Sequence, residues 1–343
     1  MVWNVCVIGA GINGIGTARE LQRRFGSGIT VTILTEQQTP DTTSDVAAGL
    51  WMPYLISDER PELLQKWGIQ TFEYMAKMER ECSDSGAFMC SGYVFTNDKP
   101  KPDFAESTYR CFKHLTRKEI ESMGFGEFKY GSFRTTYFLE PSIYLAKIMK
   151  EFKQEGGKIF QRKLKSVDEI ADKFDLIVNC AGLGSRELFG DKEVKPIRGQ
   201  VIRVKCPALK HFFVIGDDFY CLPNNHTAVL GGTHDEDDYD LTVRPDVAER
   251  ILKGNQKYIP VLKNAEIVQH RVGLRPYRKN VRLEIEQYKC KNGKKVKSHL
   301  GDGHLGNALY RKILLSSSIQ SKIASLAGFQ LLISHGSNAT QYD

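Results

Sequence analysis

The sequence predicts an α/β fold in which a parallel-sheet domain is interrupted by an insertion rich in antiparallel sheet. Three observations predict it. Val2 to Ile8 is apolar and β-prone and runs straight into Gly9-Ala10-Gly11-Ile12-Asn13-Gly14, which opens an amphipathic helical stretch ending near Phe25. Asp175 to Cys180 is a second, nearly continuous apolar run, the pattern of a parallel strand buried on both faces. From Val201 to about Arg271 the texture changes to short alternating runs separated by turn residues, which is antiparallel-sheet material.

The glycine turn is the chemically informative element. Gly9 permits the tight strand-to-helix turn, Gly11 lets backbone approach a pyrophosphate, and Gly14 lets helix and strand pack closely, with the helix N-terminus facing the phosphates. A second strand, Gly28 to Thr35, ends at Glu36, roughly 20 residues past the last glycine, where a carboxylate can accept hydrogen bonds from a ribose. A tight turn without a ligand is the competing explanation, and the strand before, helix after and acid downstream weigh against it. The expected ligand is a dinucleotide, NAD(P) or FAD. The carboxylate at Glu36 argues against a 2′-phosphate, which would want an arginine.

Further along, the polar stretch Gln37 to Asp45 precedes Val46-Ala47-Ala48-Gly49-Leu50-Trp51, whose small residues imply close packing or a close ligand. Pro61 to Glu81 carries Leu64, Trp67, Phe72, Met75 and Met78 at helical spacing. A β-prone run, Phe88 to Phe95, is followed by a helix over Ile143 to Phe152, a stop at Gly156-Gly157 and a short strand, Lys158 to Gln161. The run at Asp175 ends in Ala181-Gly182-Leu183-Gly184-Ser185. Ligands of open α/β sheets bind beyond the carboxyl ends of such strands, so Gly182 is a second candidate for close approach. In the insertion, strands are expected at Val201–Val204, Phe212–Ile215, Phe219–Leu222 and Ala228–Leu230, with one helix over Arg244–Lys257.

With 343 residues, 41% hydrophobic and 26% charged, the chain can bury a substantial core and hold two domains. No run approaches the ~18 apolar residues of a membrane span, and the first strand occupies the place of a signal peptide, so an intracellular protein is expected. The net charge of +7 is spread along the chain without a nucleic-acid-binding motif, which argues against a nucleic-acid partner. The densest basic stretch, Lys289 to Lys297, holds Asn292-Gly293 and is expected to be a hairpin turn. Eight cysteines without CxxC or zinc spacing are expected to be buried and reduced, with no metal site.

Two residues suggest substrate chemistry. Arg275, in Gly273-Leu274-Arg275-Pro276-Tyr277-Arg278, has the planar fork that grips a carboxylate bidentately, and Tyr220 could offer a hydroxyl to the same group. Surface arginines in a turn and a rim tyrosine are the bland alternatives. No Ser/His/Asp or Cys/His relay is apparent, so a cofactor would carry the chemistry.

Several segments together resemble the D-amino-acid oxidase family, which includes D-aspartate oxidase: Gly9 to Gly14, Thr42 to Trp51, Val178 to Gly182, Pro196 to Gln200, Leu230 to Thr233, and Gly273 to Pro276 with Val281 to Glu284. The resemblance implies a Rossmann-like FAD-binding domain made of residues 1–50, 140–195 and 272–343. The inserted antiparallel-sheet-rich substrate-binding domain would comprise 51–139 and 196–271. It implies non-covalent FAD held by Gly9, Ala10, Gly11, Ile12, Asn13 and Gly14, by Glu36 and Gln37 at the ribose, by Thr42, Thr43, Ser44, Gly49 and Leu50 along the flavin side, and by Leu164, Gly182, Gly303 and Gly306. Arg275 and Tyr220 would bind the substrate's α-carboxylate.

The implied reaction is oxidation of a D-amino acid by hydride transfer to flavin N5, hydrolysis of the imine to a 2-oxo acid and ammonia, and reoxidation by oxygen to hydrogen peroxide. Such a transfer needs alignment more than an acid/base pair. Where D-aspartate oxidases place side-chain arginines this chain has Phe213 and His234, and Gly216 stands where a lid tyrosine is common. Neutral D-amino acids are therefore expected as substrates, with D-aspartate and D-glutamate the alternative through Arg278 and a protonated His234. The segment Leu300 to Asn307 keeps Gly303, His304, Gly306 and Asn307 of the family's flavin lid but has Leu305 in place of a glycine, and the match then fades. A weakly active form with an altered lid is the further alternative. The expected partners are a small D-amino acid, oxygen and a second copy of the chain as a homodimer. The expected location is peroxisomal or cytoplasmic, the ending Gln341-Tyr342-Asp343 not being of the Ser-Lys-Leu type.

Overall fold

The structure is a computed structural model that describes residues 2–54, 60–100, 104–289 and 295–302. Strand β1 (Trp3–Ile8) passes through the glycine turn into α1 (Ile12–Phe25), and β2 (Ile29–Thr35) leads to a short α2 (Thr43–Val46). Helix α3 (Pro61–Glu81) starts on a proline, whose fixed φ suits the first turn. Then come β3 (Ala87–Thr96), α4 (Phe104–Thr108), β4 (Cys111–His114), α5 (Arg117–Ser122), β5 (Tyr130–Leu139), α6 (Pro141–Gln154) and β6 (Lys158–Gln161). Strand β7 (Leu176–Asn179) and α7 (Ser185–Phe189) precede the long β8 (Lys195–Lys205), β9 (Phe212–Ile215), β10 (Phe219–Pro223), β11 (Ala228–Gly231) and β12 (Asp235–Glu236). Helix α8 (Pro245–Tyr258), β13 (Glu266–Tyr277), β14 (Arg282–Lys289) and β15 (Lys295–Asp302) complete the described chain.

The strands form two sheets. The first runs β14-β15-β7-β1-β2-β6, parallel throughout except for β14, which pairs antiparallel with β15 at one edge. Burial on both faces of β1 explains its unbroken apolarity. Trp3, Val5 and Val7 pack with Leu21 of α1, Phe152 of α6 and Phe72 and Met75 of α3, whereas Cys6 and Ile8 face Val167, Ile170 and Ile177 on the other side. Strands β14 and β15, on either side of the expected hairpin turn, pair antiparallel, and residues 290–294 between them, Asn292 and Gly293 included, lie outside the described residues.

The second sheet runs β12-β8-β11-β10-β9-β3-β5-β4 with β13 also on β8, and all its pairings are antiparallel except β3 with β9. Its expected strands at 212–215, 219–222 and 228–230 match β9, β10 and β11 within a residue at each end. Strand β13 stays in this sheet to Tyr277, which pairs with Lys195, so the expected boundaries at 196 and 272 fall inside β8 and β13. Arg275 accordingly stands in a strand rather than in a turn.

A third body of packing joins the sheets. Val46 and Ala48 share a buried cluster with Phe138, Val201, Phe212, Leu222 and Val229. Trp51 N–H donates to Tyr137 O at 2.9 Å, and Leu139 N–H donates to Gly49 O at 3.0 Å. Gly49 has φ 77°, and a Cβ there would stand 2.0 Å from Leu139 O, so glycine is required on both counts. The small residues of 46–51 are thus explained by backbone packed against β5.

Candidate active site

The crevice opens beyond the carboxyl ends of β1, β2 and β7 and reaches across to the second sheet, with a volume of about 1280 Å³. The glycines divide by what lies in front of them. A Cβ on Gly9, which has φ 100°, would stand 2.3 Å from Cys180 O, and one on Gly14 would stand 1.8 Å from Gly9 O, so these two hold helix against strand. A Cβ on Gly11 would meet only Ser44 Oγ at 3.2 Å, and one on Gly182 nothing nearer than Pro276 at 3.7 Å. Backbone at Gly11 and Gly182 therefore faces open space, the cradle a dinucleotide needs. The first turn of α1 carries no acidic side chain, which leaves its positive end available to phosphate.

Gly9, Ala10, Gly11, Ile12, Asn13, Glu36, Gln37, Thr42, Thr43, Ser44, Gly49, Leu50, Leu164 and Gly182 all line the cavity. Gly14 does not and stands one layer behind the wall. Gly303 and Gly306 lie outside the described residues. The loops are held by side chains that the glycine pattern does not reveal. Thr35 Oγ1 accepts the Ala10 N–H at 3.1 Å, and Ser44 Oγ accepts the Ile12 N–H at 3.0 Å. Buried Asp45 accepts from Thr42 N–H at 3.0 Å, from the Thr42 hydroxyl at 2.6 Å and from the Thr39 hydroxyl at 2.6 Å. At the ribose end Glu36 pairs with Lys163 at 3.0 Å, an exposed ion pair that solvent weakens and that a ligand can displace.

The flavin-side loop is fastened from the second sheet. Buried Arg203 donates to Asp45 O at 3.0 Å, Ala47 O at 3.4 Å and Asn224 Oδ1 at 3.1 Å, and Asn224 Nδ2 donates to Ala48 O at 2.8 Å. Arg203→Met would leave two carbonyls without their donor. It is expected to lower stability by about 2–4 kcal/mol in urea unfolding. A loss below about 1 kcal/mol would mean that water replaces the guanidinium there.

On the second sheet the structure brings Arg275 and Tyr220 together. The Arg275 guanidinium lies flat on Gly199, where a Cβ would stand 2.4 Å from Nη2, and Nη1 donates to Thr233 O at 3.1 Å. The Tyr220 ring covers Gly231 and Gly232, whose hypothetical Cβ atoms would stand 2.0 and 2.5 Å from it. Burial pushes the Tyr220 phenol up from its ordinary pKa, and the adjacent Arg275 guanidinium opposes the shift. The hydroxyl therefore remains a donor through the neutral range. Pro276, next to Arg275, is the nearest neighbour of Gly182, so this pair abuts the β7 end of the crevice.

Other expectations change. Strand alternation turns Phe213 into the core around Phe125, and Val214 lines the cavity in its place. Arg278 is absent from the described lining and pairs with Asp191 at 3.5 Å and Glu193 at 3.0 Å, while His234 does line it. Tyr54, Asp217 and Tyr239 also stand on the wall, none of them marked by the sequence patterns. Partial burial raises the Tyr54 phenol, and the charge of Arg275 opposes the rise. Among the described residues no cluster of metal-ligating side chains occurs, and no helix is long and apolar enough to cross a membrane. Cys6, Cys180 and Cys221 are buried, and burial pushes the Cys6 thiol up to about 12, but Cys111 is exposed.

Comparison with known proteins agrees with this geometry. Glycine oxidase from Geobacillus kaustophilus superposes with a TM-score of 0.68 at 18% identity, covering 96% of this chain and 98% of that one, which establishes a shared fold. Human D-aspartate oxidase is 32% identical over 330 residues, 92% of this chain and 96% of the relative. A D-amino acid oxidase from Dugesia ryukyuensis is 33% identical over 287 residues, 82% of this chain and 86% of the relative. The sequence profile described as DAO, FAD dependent oxidoreductase, matches residues 4–292. A crevice with an open glycine cradle and that match lead to one conclusion: the chain belongs to the FAD-dependent oxidoreductase family and uses FAD.

Proposed function

We propose that this enzyme oxidises D-amino acids: with oxygen and water consumed, each turnover yields a 2-oxo acid, ammonia and hydrogen peroxide. The names of the human and Dugesia relatives support the reaction class. The observation that carries it in this chain is the pairing of Arg275 with Tyr220 on the cavity wall next to Gly182. FAD held by Gly9 to Asn13 and by the Thr42 to Leu50 loop would supply the acceptor for the substrate's hydride and the route by which its electrons reach oxygen. The chain's own residues bind and orient. Arg275, braced by Thr233 O, presents its fork to the α-carboxylate, and the protonated Tyr220 hydroxyl donates to the same group. Fixing the substrate in this way contributes several kcal/mol by orientation alone.

Neutral D-amino acids suit this wall better than acidic ones. Val214 and Gly216 offer no charge, and Arg278 is engaged by Asp191 and Glu193. A carboxylate side chain would be desolvated without a permanent cation. The second reading, preference for D-aspartate and D-glutamate, is favoured by the human relative's name and by His234 on the wall. Purified protein is expected to show flavin absorbance and to release peroxide from D-alanine and D-methionine faster than from D-aspartate. Strong preference for D-aspartate would overturn the neutral assignment, and no peroxide from any D-amino acid would overturn the reaction. We further place the enzyme in the peroxisome or cytoplasm as a homodimer, to be checked by cell fractionation and sedimentation.

A further inference from the structure

We propose that Asp217 makes this site select D-amino acids with a cationic side chain, D-arginine and D-lysine, over neutral and acidic ones. The inference rests on the oxidation reading above, keeps its ranking of neutral over acidic side chains, and places cationic ones ahead of both. Asp217 is the middle residue of the three-residue turn Gly216-Asp217-Asp218 that joins β9 to β10. Both flanks of the turn are fixed. Gly216, with φ 57°, donates its N–H to Phe95 O at 2.9 Å, and Asp218 O accepts the Gly232 N–H at 3.1 Å. Tyr220 follows Asp217 by three residues on the same hairpin, so their Cα atoms are at most about 11 Å apart at ~3.8 Å per residue. Both residues line the cavity.

Among the charged residues on the described wall, Arg275 and Asp217 belong to the second sheet, and the remainder follow β2, β6 and β7. Asp217 makes no hydrogen bond or ion pair with a described residue. Its neighbour Asp218 differs on both points: it pairs with Arg250 at 3.8 Å and does not line the cavity. Tyr54 lines the same cavity, and its phenol, raised by partial burial, is lowered by the charge of Arg275 and raised further by that of Asp217. A substrate pinned by its α-carboxylate on Arg275 would thus extend its side chain within reach of an unpaired carboxylate. An ammonium or guanidinium there gains an ion pair and a neutral side chain gains nothing. A carboxylate is repelled.

The test is steady-state kinetics of the FAD-loaded enzyme on D-arginine, D-lysine, D-methionine and D-aspartate. At low salt kcat/KM for the two basic substrates should exceed that for D-methionine by about fivefold to tenfold, D-aspartate being slowest, and the advantage should shrink at high ionic strength. Asp217→Asn should lower the D-arginine to D-methionine ratio by about the same factor, and Asp217→Lys should move preference toward D-glutamate. Asp218→Asn should leave the ratio where it stands in the parent enzyme. D-arginine no better than D-methionine in the parent, or a ratio indifferent to Asp217→Asn, overturns this inference alone. Should no D-amino acid be oxidised, the proposed reaction fails and the inference falls with it. If a variant does not fold, the parent's substrate order and its salt dependence still decide.

Discussion

Arg275→Ala is expected to lower kcat/KM for a D-amino acid by about thirtyfold to a thousandfold, the equivalent of about 2–4 kcal/mol. The guanidinium lies against Gly199 and is braced by Thr233 O, so it meets the substrate with little left to organise. Arg275→Lys should recover only a small part of the loss, because an ammonium keeps the charge but not the planar fork. Tyr220→Phe should cost about tenfold, the value of one hydrogen bond to a charged group. Flavin absorbance should be unchanged in all three variants, since Arg275 and Tyr220 lie on the second sheet and the glycine cradle on the first. Activity of Arg275→Ala within threefold of the parent would show that the carboxylate is held elsewhere.

Gly14→Ala is expected to destabilise the fold by about 3 kcal/mol or more and to strip the protein of flavin. The added methyl would stand 1.8 Å from Gly9 O and 2.7 Å from Gly9 C, both backbone atoms that cannot turn aside. Helix α1 would have to move off β1, and the crevice is built on that contact. For a chain of 343 residues, at about 2.1 cal/mol/K of unfolding entropy per residue, the melting temperature should fall by roughly 4 °C or more. Gly11→Ala is the informative contrast. Its methyl would meet only Ser44 Oγ at 3.2 Å and would otherwise project toward the open cradle, so stability should be nearly kept while FAD affinity, read by quenching of flavin fluorescence, falls at least tenfold. Equal melting curves for Gly14→Ala and the parent would refute the packing role.

Local patterns carried a good share of this architecture. The glycine turn, the acid after β2 and the apolar run of β7 are each complete within a few residues, and each marks a strand end in the observed first sheet. Helix α3 spans Pro61–Glu81 as its spacing predicts, because one face with helical period is buried. Between Phe95 and Ile143 the periodicity assigned nothing, yet β5 runs through Tyr130–Leu139. There both faces carry aromatic and hydroxyl side chains, so no alternation stands out, and long-range pairing with β3 fixes the strand.

What the order of residues settled, then, was the presence of a phosphate-facing turn and of an arginine suited to a carboxylate, because backbone freedom at glycine and the shape of a guanidinium are local properties. It could not separate Val214 from Phe213, or show that Arg278 is held by Asp191 and Glu193. The first depends on which way a strand faces and the second on a loop more than eighty residues away, and both are set by folding. Asp217, Tyr54 and Arg203 became visible only in three dimensions for the same reason: a charge or a ring acquires its chemistry from what folding places opposite it, here a carboxylate-binding arginine and the carbonyls of a distant loop.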